Sequence, residues 1–124
     1  MPLLLAIALG GIVGSLGRFA VAELLGGWGG ATVPWATLTV NLLGALAIGI
    51  AASARAVVEG PPWLRPFVVT GVLGGFTTFS ALALETGVLL DSGRVGTAAG
   101  YLALTLAGGL AAVRLGVLAV GRRP

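Results

Sequence analysis

The chain has 124 residues, of which 57% are hydrophobic and only 9% charged. A water-soluble domain carries about 25% charged residues, so a chain this apolar could not cover a solvated surface, and lipid is its expected solvent. Its net charge of +3 comes from scattered arginines, with no lysine, cysteine or histidine, which leaves no nucleic-acid-binding footprint, no disulfide or thiol chemistry and no histidine metal site or general base.

A membrane-spanning helix needs about 20 mostly apolar residues. Four stretches qualify: about Leu3–Leu25, Trp35–Ala54, Phe67–Leu90 and Thr97–Val120. Together with their short linkers they predict a single four-span membrane domain over residues 1–124, all α-helical. The amino end lacks the basic n-region of a cleaved signal peptide, and its apolar run continues to spanning length. The linkers are Gly26–Pro34, Arg55–Pro66 and Asp91–Gly96. Trp28, Trp35 and Trp63 all fall at predicted membrane–water boundaries, where an aromatic belt belongs. A soluble bundle would need a polar face on each helix, and these helices have almost none.

Of the 22 glycines, most lie inside the spans. Gly10/Gly14, Gly71/Gly75 and Gly96/Gly100 have the small-xxx-small spacing that lets membrane helices approach closely, a common packing device that says little about function.

Polar groups at membrane depth are costly and therefore informative. In span one, Arg18 lies in the second half and follows Gly11, Gly14 and Gly17. It reads either as a functional cation or as a snorkelling anchor. In span two, Thr37 and Asn41 stand at i and i+4 and share one helix face. They offer a hydroxyl and an amide, for a pathway or for an interhelical hydrogen bond. Glu85 in span three and Arg114 in span four read as snorkelling groups or as an ion pair.

The third span carries the strongest signal, Gly74-Gly75-Phe76-Thr77-Thr78-Phe79-Ser80. Paired glycines invite unwinding, and threonine hydroxyls can bond the backbone groups that unwinding frees. Irregular backbone survives at this depth only when buried or lining a cavity, so the helix is expected to break near its middle. Unwound carbonyls suit a hard cation, whereas hydroxyls and helix N-termini suit an anion. A kink without function is the plain alternative.

Three stretches in order, Gly10-Gly11-Ile12-Val13-Gly14-Ser15-Leu16-Gly17-Arg18, Thr37-Leu38-Thr39-Val40-Asn41-Leu42-Leu43-Gly44 and Gly71 through Ser80, resemble the Fluc/CrcB family of fluoride channels. The third stretch is the most specific, and the resemblance covers the whole chain. It implies a passive, non-enzymatic fluoride exporter in the inner (plasma) membrane, built as an antiparallel dual-topology dimer. It implies a structural sodium ion at the dimer centre, held by the backbone carbonyls of Gly74 and Thr77 from each subunit. It places Asn41, Phe79, Ser80, Thr37 and Tyr101 along the fluoride pore, and gives Arg18 a role in anion attraction or in anchoring the fold.

This sequence departs from the family pattern at Leu82, where many relatives carry a second pore phenylalanine, and at Ala81, Gly109 and Val113, where they often carry Ser or Thr. Its charges are also uneven. Arg55, Arg65, Arg122 and Arg123 share one side with both termini, against Arg94 opposite, which by the positive-inside rule puts the termini in the cytoplasm. Bias and missing pore residues together raise two forms of dimer, a second copy of the chain or an oppositely oriented paralogue. Two other readings compete. A small multidrug-type four-span transporter would need a membrane-embedded glutamate in span one, where this chain has Arg18 at depth and Glu23 only at the end. A non-transporting assembly subunit would explain the glycines but not the linked set of donors.

Overall fold

The computed structural model describes residues 1–26 and 33–121. Trp28, Arg122 and Arg123, which the belt and charge arguments use, lie outside the described residues. Lipid offers no hydrogen-bond partners, so an apolar chain must satisfy its backbone internally, as helices do. The elements are α1 (Leu3–Leu24), α2 (Trp35–Ser53), a short α3 (Arg55–Val58), a π-helical segment (Pro66–Leu73), α4 (Gly74–Phe76), α5 (Phe79–Asp91) and α6 (Val95–Gly121). No strand occurs among the described residues. Four helical stretches are long and apolar enough to cross a membrane: Leu3–Leu24, Trp35–Ser53, Pro66–Asp91 and Val95–Gly121. The protein is therefore a four-span, all-helical membrane protein.

Their outward faces are apolar, with Leu4, Leu16, Phe19, Leu84, Leu106 and Leu110 all exposed. The buried core is small: Leu38, Leu82, Leu89, Ala98 and Tyr101, from α2, α5 and α6. Leu82 therefore sits inside the subunit at 4% exposure.

Two backbone-to-backbone contacts set the layout. Helix α1 lies against the first half of the third span, and α2 lies against α6. In the first pair, a Cβ on Gly71 would stand 2.8 Å from the Cα of Gly10, and one on Gly75 would stand 2.6 Å from the Gly11 carbonyl oxygen. A Cβ on Gly14 would collide with the Val72 carbonyl. In the second pair, Gly49 and Gly116 face the backbones of Val113 and Leu46. The third spacing pair behaves differently, since a Cβ on Gly96 or Gly100 meets nothing within 4 Å.

The turn from α5 to α6 is tight. Gly93 takes φ +73°, the left-handed conformation that favours glycine. The N–H of Arg94 reaches back to the Leu89 carbonyl at 2.8 Å and that of Gly93 to Leu90 at 2.9 Å, closing the helix end. Just ahead of the third span, the Trp63 ring meets Phe67 edge-on, with centroids 6.3 Å apart.

These contacts predict a sharp contrast. Gly14→Ala forces α1 off the third span and costs about 1–3 kcal/mol, the usual range for overpacking. Gly100→Ala costs nothing measurable. Melting temperatures of the purified protein in detergent check both.

Candidate functional site

The site is built on one face of α2. Thr37, Asn41 and Gly44 recur at i, i+4 and i+7 and so line up along the helix. Each meets a different part of the third span. Thr37 reaches Glu85 on α5, Asn41 reaches Thr78, and Gly44 leaves room for the Thr77 methyl.

Between α4 and α5 the backbone is not helical. Thr77 has φ −79°, ψ 158° and Thr78 has φ −147°, ψ 116°, both extended. Thr78 stands at the midpoint of the 26-residue stretch Pro66–Asp91. Thr77 keeps its helical bond, its N–H donating to the Leu73 carbonyl at 3.0 Å, but the Thr78 peptide groups have neither a helical partner nor water. Asn41 answers with both ends of its amide, as its Oδ1 accepts from the Thr78 N–H at 2.8 Å and its Nδ2 donates to the Thr78 carbonyl at 3.0 Å. The Thr78 side chain caps α5, its Oγ1 accepting from the Ala81 N–H at 3.2 Å. The Thr77 hydroxyl donates to the Leu73 carbonyl at 3.0 Å.

In an uninterrupted α-helix the Thr78 N–H would bond the Gly74 carbonyl, and the Ala81 N–H would bond the Thr77 carbonyl. Here both donors are turned to side chains. Among the described residues no side-chain donor replaces them at either carbonyl. The π-helical turn upstream widens the backbone just before this point, and such turns recur at functional sites.

A second cluster lies on the α6 side. Thr37, fully buried, donates to Glu85 Oε1 at 2.8 Å, and Tyr101, 3% exposed, donates to Glu85 Oε2 at 2.6 Å. Glu85 thus neither snorkels nor pairs with an arginine. It is shared by two hydroxyls from α2 and α6, a position that its place in span three alone does not reveal. The usable clue is the polarity of Thr37 and Tyr101, two buried hydroxyls that need an acceptor.

On the opposite side of the break an open groove of about 530 Å³ is lined by Ser15, Arg18 and Phe19 of α1 and by Thr78, Ser80, Ala81 and Leu84. The Ser80 and Thr78 hydroxyls are 3.2 Å apart. Phe79 is 79% exposed on the first turn of α5. Among the described residues Arg18 has no acidic partner, and the one ion pair is Arg55–Glu59 at 3.9 Å on the surface, a type worth about 0–1 kcal/mol. The structure therefore gathers Asn41, Ser80 and Arg18 around the break. It holds Thr37 and Tyr101 together at Glu85, and leaves Phe79 facing out.

No cluster of three or more His, Cys, Asp or Glu side chains occurs among the described residues. Hard oxygen donors are nonetheless present, among them the Gly74 and Thr77 carbonyls, which lack their helical donors.

Four apolar spans with hydroxyls, an amide and a guanidinium around a mid-span irregularity define a membrane protein with an internal polar site. Residues 5–117 match the family described as CrcB-like protein, Camphor Resistance (CrcB), and the chain belongs to that family. Relatives of similar length bear it out. The chain is 43% identical to "Fluoride-specific ion channel FluC" of Rhodospirillum centenum, over 94% of this chain and 99% of that one. It is 48% identical to the protein of the same name from Opitutus terrae, over 98% and 95%. It is 46% identical to "Fluoride-specific ion channel FluC 2" of Nocardia farcinica, over 92% and 81%.

The Glu85 cluster makes a testable claim. Tyr101→Phe leaves one carboxylate oxygen short of a donor and lowers stability by about 1–3 kcal/mol. In the Glu85→Gln background the same change costs measurably less, because the two side chains act as one unit. A double-mutant cycle on thermal unfolding in detergent reads this out.

Proposed function

We propose that this chain is a passive fluoride channel of the inner membrane, releasing fluoride trapped in the cytosol. The observation that carries the reading is the extended Thr77–Thr78 backbone at mid-span, with hydroxyl and amide donors at hand, in a member of this family. The relatives' names supply the ion. Hydrogen fluoride crosses membranes as a neutral molecule from acidic surroundings and ionises in a neutral cytosol. The anion needs only a downhill exit, so no energy-coupling group is required.

The third span acts as a broken helix, and the protein works as an antiparallel dimer. The groove supports this reading. Ser15, Arg18 and Ser80 open outward at membrane depth, and lipid would penalise all three. A second subunit, either another copy or an oppositely oriented paralogue, would cover them or enclose water beside them. Gly74 and Thr77 of each subunit then contribute carbonyls to a structural sodium ion at the dimer centre, which joins the subunits and fixes both breaks.

Fluoride gives up water to enter, so the pore must offer hydrogen-bond donors. The Ser80 hydroxyl and the second N–H of Asn41 serve as donors, and the Phe79 ring offers its electropositive edge. Thr37 and Tyr101 already donate to Glu85. They join the pathway by turning those donors toward a passing anion. Arg18 raises the local anion concentration at the groove.

The test is fluoride efflux from liposomes, followed with a fluoride electrode, in sodium and in sodium-free buffer. The wild type is expected to conduct fluoride in sodium and to lose conduction without it. Phe79→Ala is expected to slow efflux at least about tenfold, which corresponds to ~1.4 kcal/mol of added barrier. Robust efflux that ignores both sodium and Phe79 would remove the site assignment. Equal flux by the chain expressed alone, through two equivalent pores, would decide for the homodimer against the paralogue pair.

A further inference from the structure

Asn41 faces the break with both ends of its amide engaged, and the Thr78 hydroxyl is engaged as a cap. Neither arrangement is needed simply to keep a helix continuous, because a continuous helix would satisfy the same N–H groups unaided. Their effect is more specific. The two N–H groups they bind are those that stand four residues after Gly74 and four residues after Thr77. Each carbonyl proposed to hold the cation is paired with one side-chain acceptor that removes its competitor.

We infer that Asn41 and Thr78 are positioning residues for the cation site: by accepting from the Thr78 and Ala81 N–H groups, they keep the Gly74 and Thr77 carbonyls free to coordinate. This rests on the sodium reading above and deepens it. Neither side chain touches the ion. An oxygen already bonded to an N–H presents weakened charge to a hard cation, and binding would have to break that bond first. With Asn41 and Thr78 in place the bond is never made, so the site is ready before the ion arrives.

Gly44 completes the device. It stands one turn along α2 from Asn41, and a Cβ there would collide with the Thr77 Cγ2. The Thr77 methyl fits because Gly44 has no side chain. Asn41 thus sets the peptide of Thr78, and Gly44 admits the preceding residue in its extended form. The stretch Asn41-Leu42-Leu43-Gly44 acts as a template on which the third span is held open.

The test uses the full chain, purified in detergent, with its melting temperature followed as sodium chloride replaces N-methylglucamine chloride at constant ionic strength. A ligand at concentration c that binds only the folded state raises stability by RT ln(1 + c/Kd), so the sodium concentration at which the rise sets in gives the half-occupancy midpoint without any flux measurement. Thr78→Val keeps the shape of the side chain but returns the Ala81 N–H to the Thr77 carbonyl. Asn41→Leu returns the Thr78 N–H to Gly74. Both are expected to raise the sodium midpoint at least about tenfold, while Thr78→Ser, which keeps the acceptor, restores a midpoint within about twofold of wild type.

Unshifted midpoints in Thr78→Val and Asn41→Leu would overturn the positioning role. A wild type whose melting ignores sodium would instead sink the cation site, and this inference with it, so the two failures are distinct. Should either variant not fold, amide exchange in the wild type decides. The Thr78 and Ala81 N–H groups are expected to slow with sodium only as much as the neighbouring helical amides of α5 do, through the general gain in stability. A sodium response that differs from those neighbours by more than about tenfold would mean that these amides compete with the ion for the carbonyls, contrary to the inference.

Discussion

Everything in this protein depends on how two amides are satisfied in the middle of a membrane. Thr77 and Thr78 are extended at the midpoint of their span, where no water stands in for a lost helical bond. An unsatisfied backbone group there costs several kcal/mol. For the Thr78 peptide and the Ala81 N–H the cost is met by side chains: Asn41 bonds both polar groups of Thr78, and Thr78 Oγ1 accepts from the Ala81 N–H.

That requirement explains the surrounding packing. A clamp from α2 works only if α2 lies close to the third span and stays in register. Gly44 permits the approach at Thr77, while Gly49 and Gly116 bind α2 to α6. On the other side, Gly10, Gly14, Gly71 and Gly75 hold α1 against the π-helical segment and α4. The glycines therefore do not form one general packing motif. They mark the places where backbones meet, and Gly96 and Gly100 share the spacing without sharing the contact.

The chemistry divides across the third span. Toward α2 and α6, Glu85 collects the hydroxyls of Thr37 and Tyr101 beside a core containing Leu82. Toward α1, Arg18, Ser15 and Ser80 share an open groove with Phe19 and Leu84. The break lies between them and belongs to both. Leu82, which looked in the sequence like a missing pore residue, turns inward and packs with Leu38 and Tyr101.

Sequence alone determined the solvent and the number of spans, because each rests on local composition. Twenty apolar residues can only cross or avoid a membrane, and Gly74-Gly75 followed by Thr77-Thr78 weakens a helix wherever it lies. The i, i+4 spacing of Thr37 and Asn41 even gave the face they share. What those side chains bind was decided by tertiary structure. Thr37 and Glu85 are 48 residues apart and Asn41 and Thr78 are 37 apart, and periodicity within one helix says nothing about its rotation against another. The same holds for Glu85, whose acceptors were filled by hydroxyls, and for Gly44, whose missing side chain matters only because Thr77 lies opposite. Hydrogen bonds across helices depend on angle and distance, and only the packed bundle sets those.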